Sequence, residues 1–537
     1  MKLTKQLFLV GIAIIMLLAA CSNNTSSKKE ENPKLDEEAL ANVNETGFPI
    51  VKDPLTLKVF TGKSAQNVNS DWNDILIWNT YAEMTNVNLE WEQIQTDSLE
   101  EKRNLALAGG NLPDVFFLSA MPTLDLFKYG KQGTFLKLND LIDQYAPNLK
   151  KLMDENPEIR KAITFPDGNI YSLPSIVSPD FMSVRIASRP WFSQEALDAA
   201  GMEVPETTEE FYQFLKASKE KTGKIPYGGT SMAEFVSWLQ GSFGVSNKGV
   251  RNANIDVNPE NEDEVRFYAT SDDFKALLEY VHKLYSEGLV EQNIFSIDWG
   301  QYLANASEGK YASTVFYDPI ELFGDEIGSD YVSASALKGP NGHQEFSKVA
   351  PSVSSIGNFV ITSENPNPAA TVRWMDYFYS DEGARLYYMG VEGETYEKTA
   401  DGKYVYTDKI VNSAEGLTME QELAKYLTWL GGIQGIIKQE YFQGSENAPT
   451  SLEAAEKITP YVPEEIWPAF LYTEEENRFL SSTGADINKY VAEQRDKFIS
   501  GDLPFSEWDN YVETIEKMGL EELMKIHQAA YDRYKKE

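Results

Sequence analysis

The chain has one cysteine, Cys21, and three histidines, His282, His343 and His527, dispersed through 537 residues. A single thiol forbids an internal disulfide, and so little sulfur and imidazole leaves zinc clusters and Cys/His catalysis undersupplied. Cations are scarce beside acids: Lys and Arg total 48 against 83 Asp and Glu, for a formal charge of −35. That field repels a phosphate backbone and excludes nucleic acid as a partner. Beyond residue 20 no apolar run approaches the ~18 residues of a membrane span. No G-x-S-x-G elbow occurs, so the strongest local hydrolase signal is missing. Gly62-Lys63-Ser64 has the ending of a phosphate loop, but Leu57 stands where its first glycine belongs. Gly431-Gly432-x-x-Gly435 has no strand before it, which removes a dinucleotide reading. Asp256-x-Asn258-x-Glu260 opens like a calcium loop, yet Asn261 replaces the turn glycine and Phe267 the bidentate glutamate. No cofactor, no metal and no catalytic residue is expected.

What is present begins with hydrophobic residues at 42% and aromatics at 12%, enough for large packed cores in a chain long enough for two or three domains. Lys2 and Lys5 precede an uncharged run from Leu7 to Ala20, too short to span a bilayer, so residues 1–20 read as a secretory signal peptide. Leu18-Ala19-Ala20-Cys21 resembles the lipobox of bacterial lipoproteins, which implies that Cys21 is lipidated and becomes the new N-terminus. Residues 21–53 are polar and poor in aromatics, the composition of a flexible tether. The expected location is the outer face of the cell membrane of a Gram-positive type cell, held there by lipid.

From Leu55 strand and helix patterns alternate. Residues 55–60, 87–94 and 113–120 read as strands, with helices near 71–84 and 97–108 between them. This order predicts an α/β fold with a parallel sheet, and ligands of such sheets gather at the carboxyl ends of strands. Thr207-x-x-Glu210 is a capping box, Ser271 can cap a helix with an apolar stripe from Phe274 to Leu284, and Pro368 suits a helix start. Strands are expected at 312–317 and 357–362, and the last ~110 residues are rich in helix and aromatics. The reading places a first lobe at 54–175, a second mainly at 176–365, and a helix-rich part at 366–537 returning to both.

Several aromatics stand in polar, loop-like settings: Trp238, Trp299, Tyr317 beside Asp318, and Tyr396. Sugar rings present flat C–H faces that lie well on aromatic rings, so together these residues suit a carbohydrate cleft. Carboxylates are numerous enough for a glycosidase pair, but sequence alone shows no separation between them.

Longer strings carry a resemblance. They include Gly110-Asn-Leu-Pro-Asp-Val-Phe116, Gly133-Thr-Phe-Leu136, Tyr145-Ala-Pro-Asn-Leu149 and Asp167-Gly-Asn-Ile-Tyr-Ser-Leu-Pro174. Further along are Arg373-Trp-Met-Asp-Tyr377, Ser380-Asp-Glu-Gly383, Gly390-Val-Glu-Gly-Glu-Thr-Tyr396 and Gln528-Ala-Ala-Tyr-Asp-Arg-Tyr534. In this order they resemble the extracellular solute-binding lipoproteins of carbohydrate ABC importers, in the large branch common among Gram-positive bacteria. The resemblance implies a two-lobed, periplasmic-binding-protein-like type II fold with hinge crossings. It also implies a monomer that binds an oligosaccharide and hands it to a membrane permease. It assigns ligand contact to the loops after three strands, here Lys63 and Ser64, Ser119 and Met121, and Tyr317 and Asp318. Glu392, Tyr396 and Trp299 match further contact segments, while Leu118 and Met121 depart from the maltodextrin-type pattern. The stretch Lys219–Pro226 replaces a calcium loop of larger relatives and has too few acids for a cation. The alternative is a binder of peptides or another small solute on the same scaffold, and a surface glycan-degrading enzyme comes third.

Overall fold

The computed structural model describes residues 36–64, 67, 71–429 and 432–536. The expected signal peptide and the lipidation expected at Cys21 lie outside the described residues. In chain order the strands are β1 (Leu55–Lys63), β2 (Val87–Gln95), β3 (Val115–Phe117), β4 (Leu173–Val177), β5 (Arg189–Ser193), β6 (Ile255–Asn258) and β7 (Asn261–Phe267). They continue with β8 (Ser313–Phe316), β9 (Tyr331–Ser333), β10 (Val353–Ile361), β11 (Tyr396–Lys398), β12 (Tyr404–Tyr406) and β13 (Ile436–Ile437).

Local chemistry explains most helix ends. Thr207 accepts from the Glu210 amide at 3.1 Å and Glu210 returns the bond, starting the helix Thr208–Thr222. Ser271 caps Asp272–Ser286, whose Phe274, Leu277, Leu278, Val281 and Leu284 are all buried, and Gly288 follows with φ of 67°. Asn367 caps the helix Pro368–Asp376 with proline in its first turn. The helix expected from residue 71 begins later, at Leu76, because Asp71 first caps a single 3₁₀ turn.

The largest sheet has the order β13-β4-β10-β3-β1-β2. β1 runs parallel to both β2 and β3, with Leu55 opposite Val87 and Val59 opposite Val115, as the alternating elements require. β10 enters antiparallel between β3 and β4, so the sheet is mixed rather than wholly parallel. A second sheet, β8-β5-β9, is antiparallel throughout.

Two large hydrophobic cores, each accompanied by a smaller cluster, divide the folded body. The first collects buried residues from Val43 to Phe181 and again from Val353 to Phe442. The second collects Ile186 to Val349 and Ile458 to Tyr534. The chain therefore passes between cores three times, near residues 181–186, 349–353 and 442–458. The crossings run side by side: the Val177 amide donates to the Ser352 carbonyl at 2.8 Å and the Ser178 amide to the Ile437 carbonyl at 2.9 Å. Arg185 fastens two of them, its Nε donating to the Ala350 carbonyl at 2.9 Å.

Two expected boundaries are corrected. Residues 353–365 belong to the first lobe, because β10 pairs with strands about 180–240 positions earlier that no local pattern reveals. The tether expected to run to residue 53 gives way to folded chain from residue 36. Glu37–Asn42 is helical, Val43 bridges Val51, and Ile50 and Val51 are buried in the first core. Arg373 holds this segment by donating to the carbonyls of Asn44 and Gly47. Three scattered apolar residues are too few to show in composition, yet they suffice once a neighbouring surface exists to receive them.

Candidate functional site

The carboxyl ends of β1 and β3 lie side by side and form a first wall, where Met121 lines a cavity shared with the second lobe. β1 ends at Lys63, with Ser64 after it, and β3 leads into a turn at Leu118–Ala120. Leu118 and Ala120 have φ of 47° and 48°, a left-handed conformation costly for residues with a Cβ. Arg103 stabilises the turn by donating to the Ser119 and Ala120 carbonyls, each at 2.9 Å. Ser119 Oγ and the Met121 amide both donate to the Gly357 carbonyl, at 3.2 and 2.9 Å. A Cβ on Gly357 would lie 2.1 Å from the Met121 carbonyl oxygen, so only glycine lets β10 approach this turn. Lys63 is nearly buried; desolvation lowers its ammonium pKa, and the charge of Asp71 opposes that shift. Lys63, Ser64, Ser119 and Met121 are thus gathered at one end of the first sheet. Met121, Ser354 and Ser355 face Arg251, Pro468 and Ala469 of the second lobe across a cavity of about 290 Å³.

The second lobe contributes an aromatic platform. Asp298 caps the helix Trp299–Ser307, which holds Trp299 at its first position, 52% exposed. The indole stacks on Phe316 with centroids 6.0 Å apart and 29° between planes, and it also touches Tyr302. Phe316 in turn supports the Tyr317 ring at 4.7 Å, leaving Tyr317 39% exposed. Rings this large are rarely left half in water unless something apolar covers them. Asp318, by contrast, is buried and committed. Its Oδ1 accepts from the Ile320 and Glu321 amides, capping Pro319–Phe323, and its Oδ2 accepts from Thr450 and Ser451.

Three anticipated residues lie elsewhere. Trp238 is core: it sits on the helix Met232–Leu239, stacked on Tyr227 at 6.2 Å and edge-on to Phe211 at 5.2 Å. Its polar sequence neighbours occupy other faces of that helix. Tyr396 is buried, its hydroxyl accepting from Arg385 Nε at 3.1 Å and its ring against Tyr404, while Glu392 is exposed beside it. This pair belongs to an Arg–Tyr cluster around the β11–β12 hairpin.

Other groups at the first wall were not signalled by any motif. Gln434 is fully buried; its Nε2 donates to the Asn358 carbonyl at 2.8 Å, while its Oε1 has no partner among the described residues. Asn67, just past Ser64, is buried with neither side-chain amide atom paired among the described residues. Buried polar atoms of this kind are commonly satisfied by ordered water or ligand. The usable signal was Gly432 and Gly435, where a Cβ would collide with Leu118 and with Phe378.

The cation motifs are occupied by the protein's own charges. Asp256 is buried and pairs with Arg266 at 2.9 and 2.8 Å. In the stretch from Lys219, Lys219 Nζ donates to the Glu287 carbonyl and Lys224 Nζ to the Gly309 carbonyl. Among the described residues no cluster of three or more His, Cys, Asp or Glu is placed to hold a metal.

Comparison with known proteins finds relatives along most of the chain. The fructooligosaccharide ABC transporter substrate-binding protein FusA of Streptococcus pneumoniae serotype 4 is 29% identical over 508 residues, 91% of this chain and 92% of that one. The structure of FusA in complex with kestose superposes with a TM-score of 0.68 at 27% identity, covering 89% of this chain and 99% of that chain. An HMO-binding, ABC-transporter-associated solute-binding protein from Bifidobacterium longum infantis shares the fold, with a TM-score of 0.76 at 21% identity over 90% and 99% of the two chains. The architecture is the two-lobed type II fold expected from the sequence. The family model described as bacterial extracellular solute-binding protein matches residues 67–385, and the chain belongs to that family.

Proposed function

We propose that this protein is the substrate-binding component of a carbohydrate ABC importer, capturing an oligosaccharide between its lobes for delivery to a membrane permease. The half-exposed Trp299–Tyr317 platform carries the reading. Phe316 supports both rings from the protein side while each stays partly exposed, which suits the flat C–H face of a sugar ring. The first wall supplies what the hydroxyls need: Lys63, Ser64, Ser119, the Asn67 side-chain amide and Gln434 Oε1. Each buried hydroxyl left unpaired would cost about 1–3 kcal/mol, so groups of this type set specificity. FusA, by its name a fructooligosaccharide binder, supports fructose-containing oligosaccharides as the first class to test. Lipid on Cys21 anchors the protein, as a monomer, to the outer face of the membrane.

Calorimetry against kestose, longer fructooligosaccharides and a panel of unrelated oligosaccharides tests the reading. Binding of at least one sugar, weakened by Trp299→Ala, is expected. Tight binding of a peptide with indifference to all sugars, or release of new reducing ends from a polysaccharide, would replace it.

A further inference from the structure

Arg189, the first residue of β5, is wholly buried, yet no carboxylate pairs with it among the described residues. Its acceptors are neutral. Nη1 donates to the Tyr317 carbonyl, while Nη2 donates to the Ser183 carbonyl and, at 2.7 Å, to Ser183 Oγ. Its Nε has no partner among the described residues. Burial lowers the guanidinium pKa to about 10, with Glu446 and Asp318 opposing from a distance, so the group stays charged at neutral pH. An unpaired buried cation is a liability of several kcal/mol, and an apolar residue of similar size would suit a core strand better.

The three bonded positions explain its presence. Tyr317 is part of the aromatic platform and follows β8, which pairs with β5 so that Arg189 stands opposite Phe316. Ser183 lies in the short helix Met182–Arg185 at the first crossing between lobes. Ser183 Oγ donates to the Glu446 carbonyl, in the third crossing. Ser451, at the start of the helix Pro449–Ile458, closes the circuit through the Tyr317 carbonyl and Asp318 Oδ2. Arg189 thus joins the backbone carrying the platform to the first crossing and, through Ser183, to the third.

We propose that Arg189 is a positioning residue that couples the Trp299–Tyr317 platform to the hinge, so that platform geometry and lobe angle are set together. The proposal deepens the reading of the groove as a sugar site and rests on it for its ligand-dependent part. A purely structural arginine would change stability alone. A coupling arginine also changes the distribution of lobe angles in the empty protein and the response of that distribution to sugar.

The test uses the mature chain carrying Cys21→Ser, with spin labels on Lys151→Cys in the first lobe and Lys489→Cys in the second, both side chains more than 70% exposed. Pulsed dipolar spectroscopy reads the distance distribution with and without saturating kestose, and calorimetry reads affinity. Arg189→Met should broaden the empty-state distribution and weaken kestose binding by about tenfold or more. Arg189→Lys, which keeps the charge but loses the fork, should fall between Arg189→Met and the native residue. If Arg189→Met fails to fold, Ser183→Ala carries the test, since it removes one link and leaves the arginine in place; broadening is again expected. A folded variant whose empty-state distribution matches the parent overturns the proposal. Should the parent bind no kestose while Arg189→Met still broadens the empty state, the coupling stands and the sugar assignment fails.

Discussion

At the residue scale, neighbours in space rather than in sequence separate the tryptophans. Trp238 and Trp299 both looked like ligand platforms, since each adjoins polar or glycine residues. Trp238 is enclosed by Tyr227, Phe211 and Phe235, whereas Trp299 has one face on Phe316 and the other in water. Trp238→Ala should therefore cost about 3–5 kcal/mol in chemical denaturation. Trp299→Ala should leave stability within about 0.5 kcal/mol and lower sugar affinity about tenfold, read by calorimetry. His527 offers a second test. Burial moves its pKa from 6.5 down to about 4, against the pull of Glu476, so the folded protein keeps the ring neutral beside the Tyr472 hydroxyl at 3.0 Å. The unfolded chain takes up the proton first, and the stability contributed by the neutral ring, present above pH 6.5, is lost as pH falls from there toward 4. Lowering the pH from 7.5 to 5 should remove roughly 2 kcal/mol more from the native protein than from His527→Gln, measured by urea unfolding.

At the element scale, what was legible depended on how local the cause was. The caps at Thr207 and Ser271 and the helix start at Pro368 are written within four residues and fall where the pattern placed them. The parallel trio β1, β2 and β3 was also legible, because the alternation of strand and helix admits few other arrangements. The antiparallel entry of β10 was not, nor was the turn at Leu118–Ala120, whose shape is imposed by Arg103 and Gly357 from other elements. Glycines make this distinction measurable. Gly109 ends its helix with nothing within 4 Å of where a Cβ would stand, so Gly109→Ala should raise thermal stability by about 0.5–1 kcal/mol. Gly357→Ala must push the Met121 carbonyl aside, so it should both lower stability and weaken sugar binding, read by thermal denaturation and calorimetry on one preparation.

At the scale of the whole molecule, the resemblance carried the two-lobed plan, while the crossings could be found only from the cores. Composition also misjudged the tether, because Val43, Ile50 and Val51 count for little in a window of residues yet dock onto the first lobe. Residues 36–53 of the expected tether therefore belong to the folded body. Cys21→Ala should abolish membrane retention while leaving sugar affinity unchanged, checked by fractionating cells and by calorimetry on the released protein. The triple passage of chain between the cores has its own consequence. A single proteolytic nick in one connector leaves two covalent bridges between the halves, so the nicked protein should still elute as one particle and still take up ligand. Durability of that kind suits a receptor exposed to secreted proteases outside the cell.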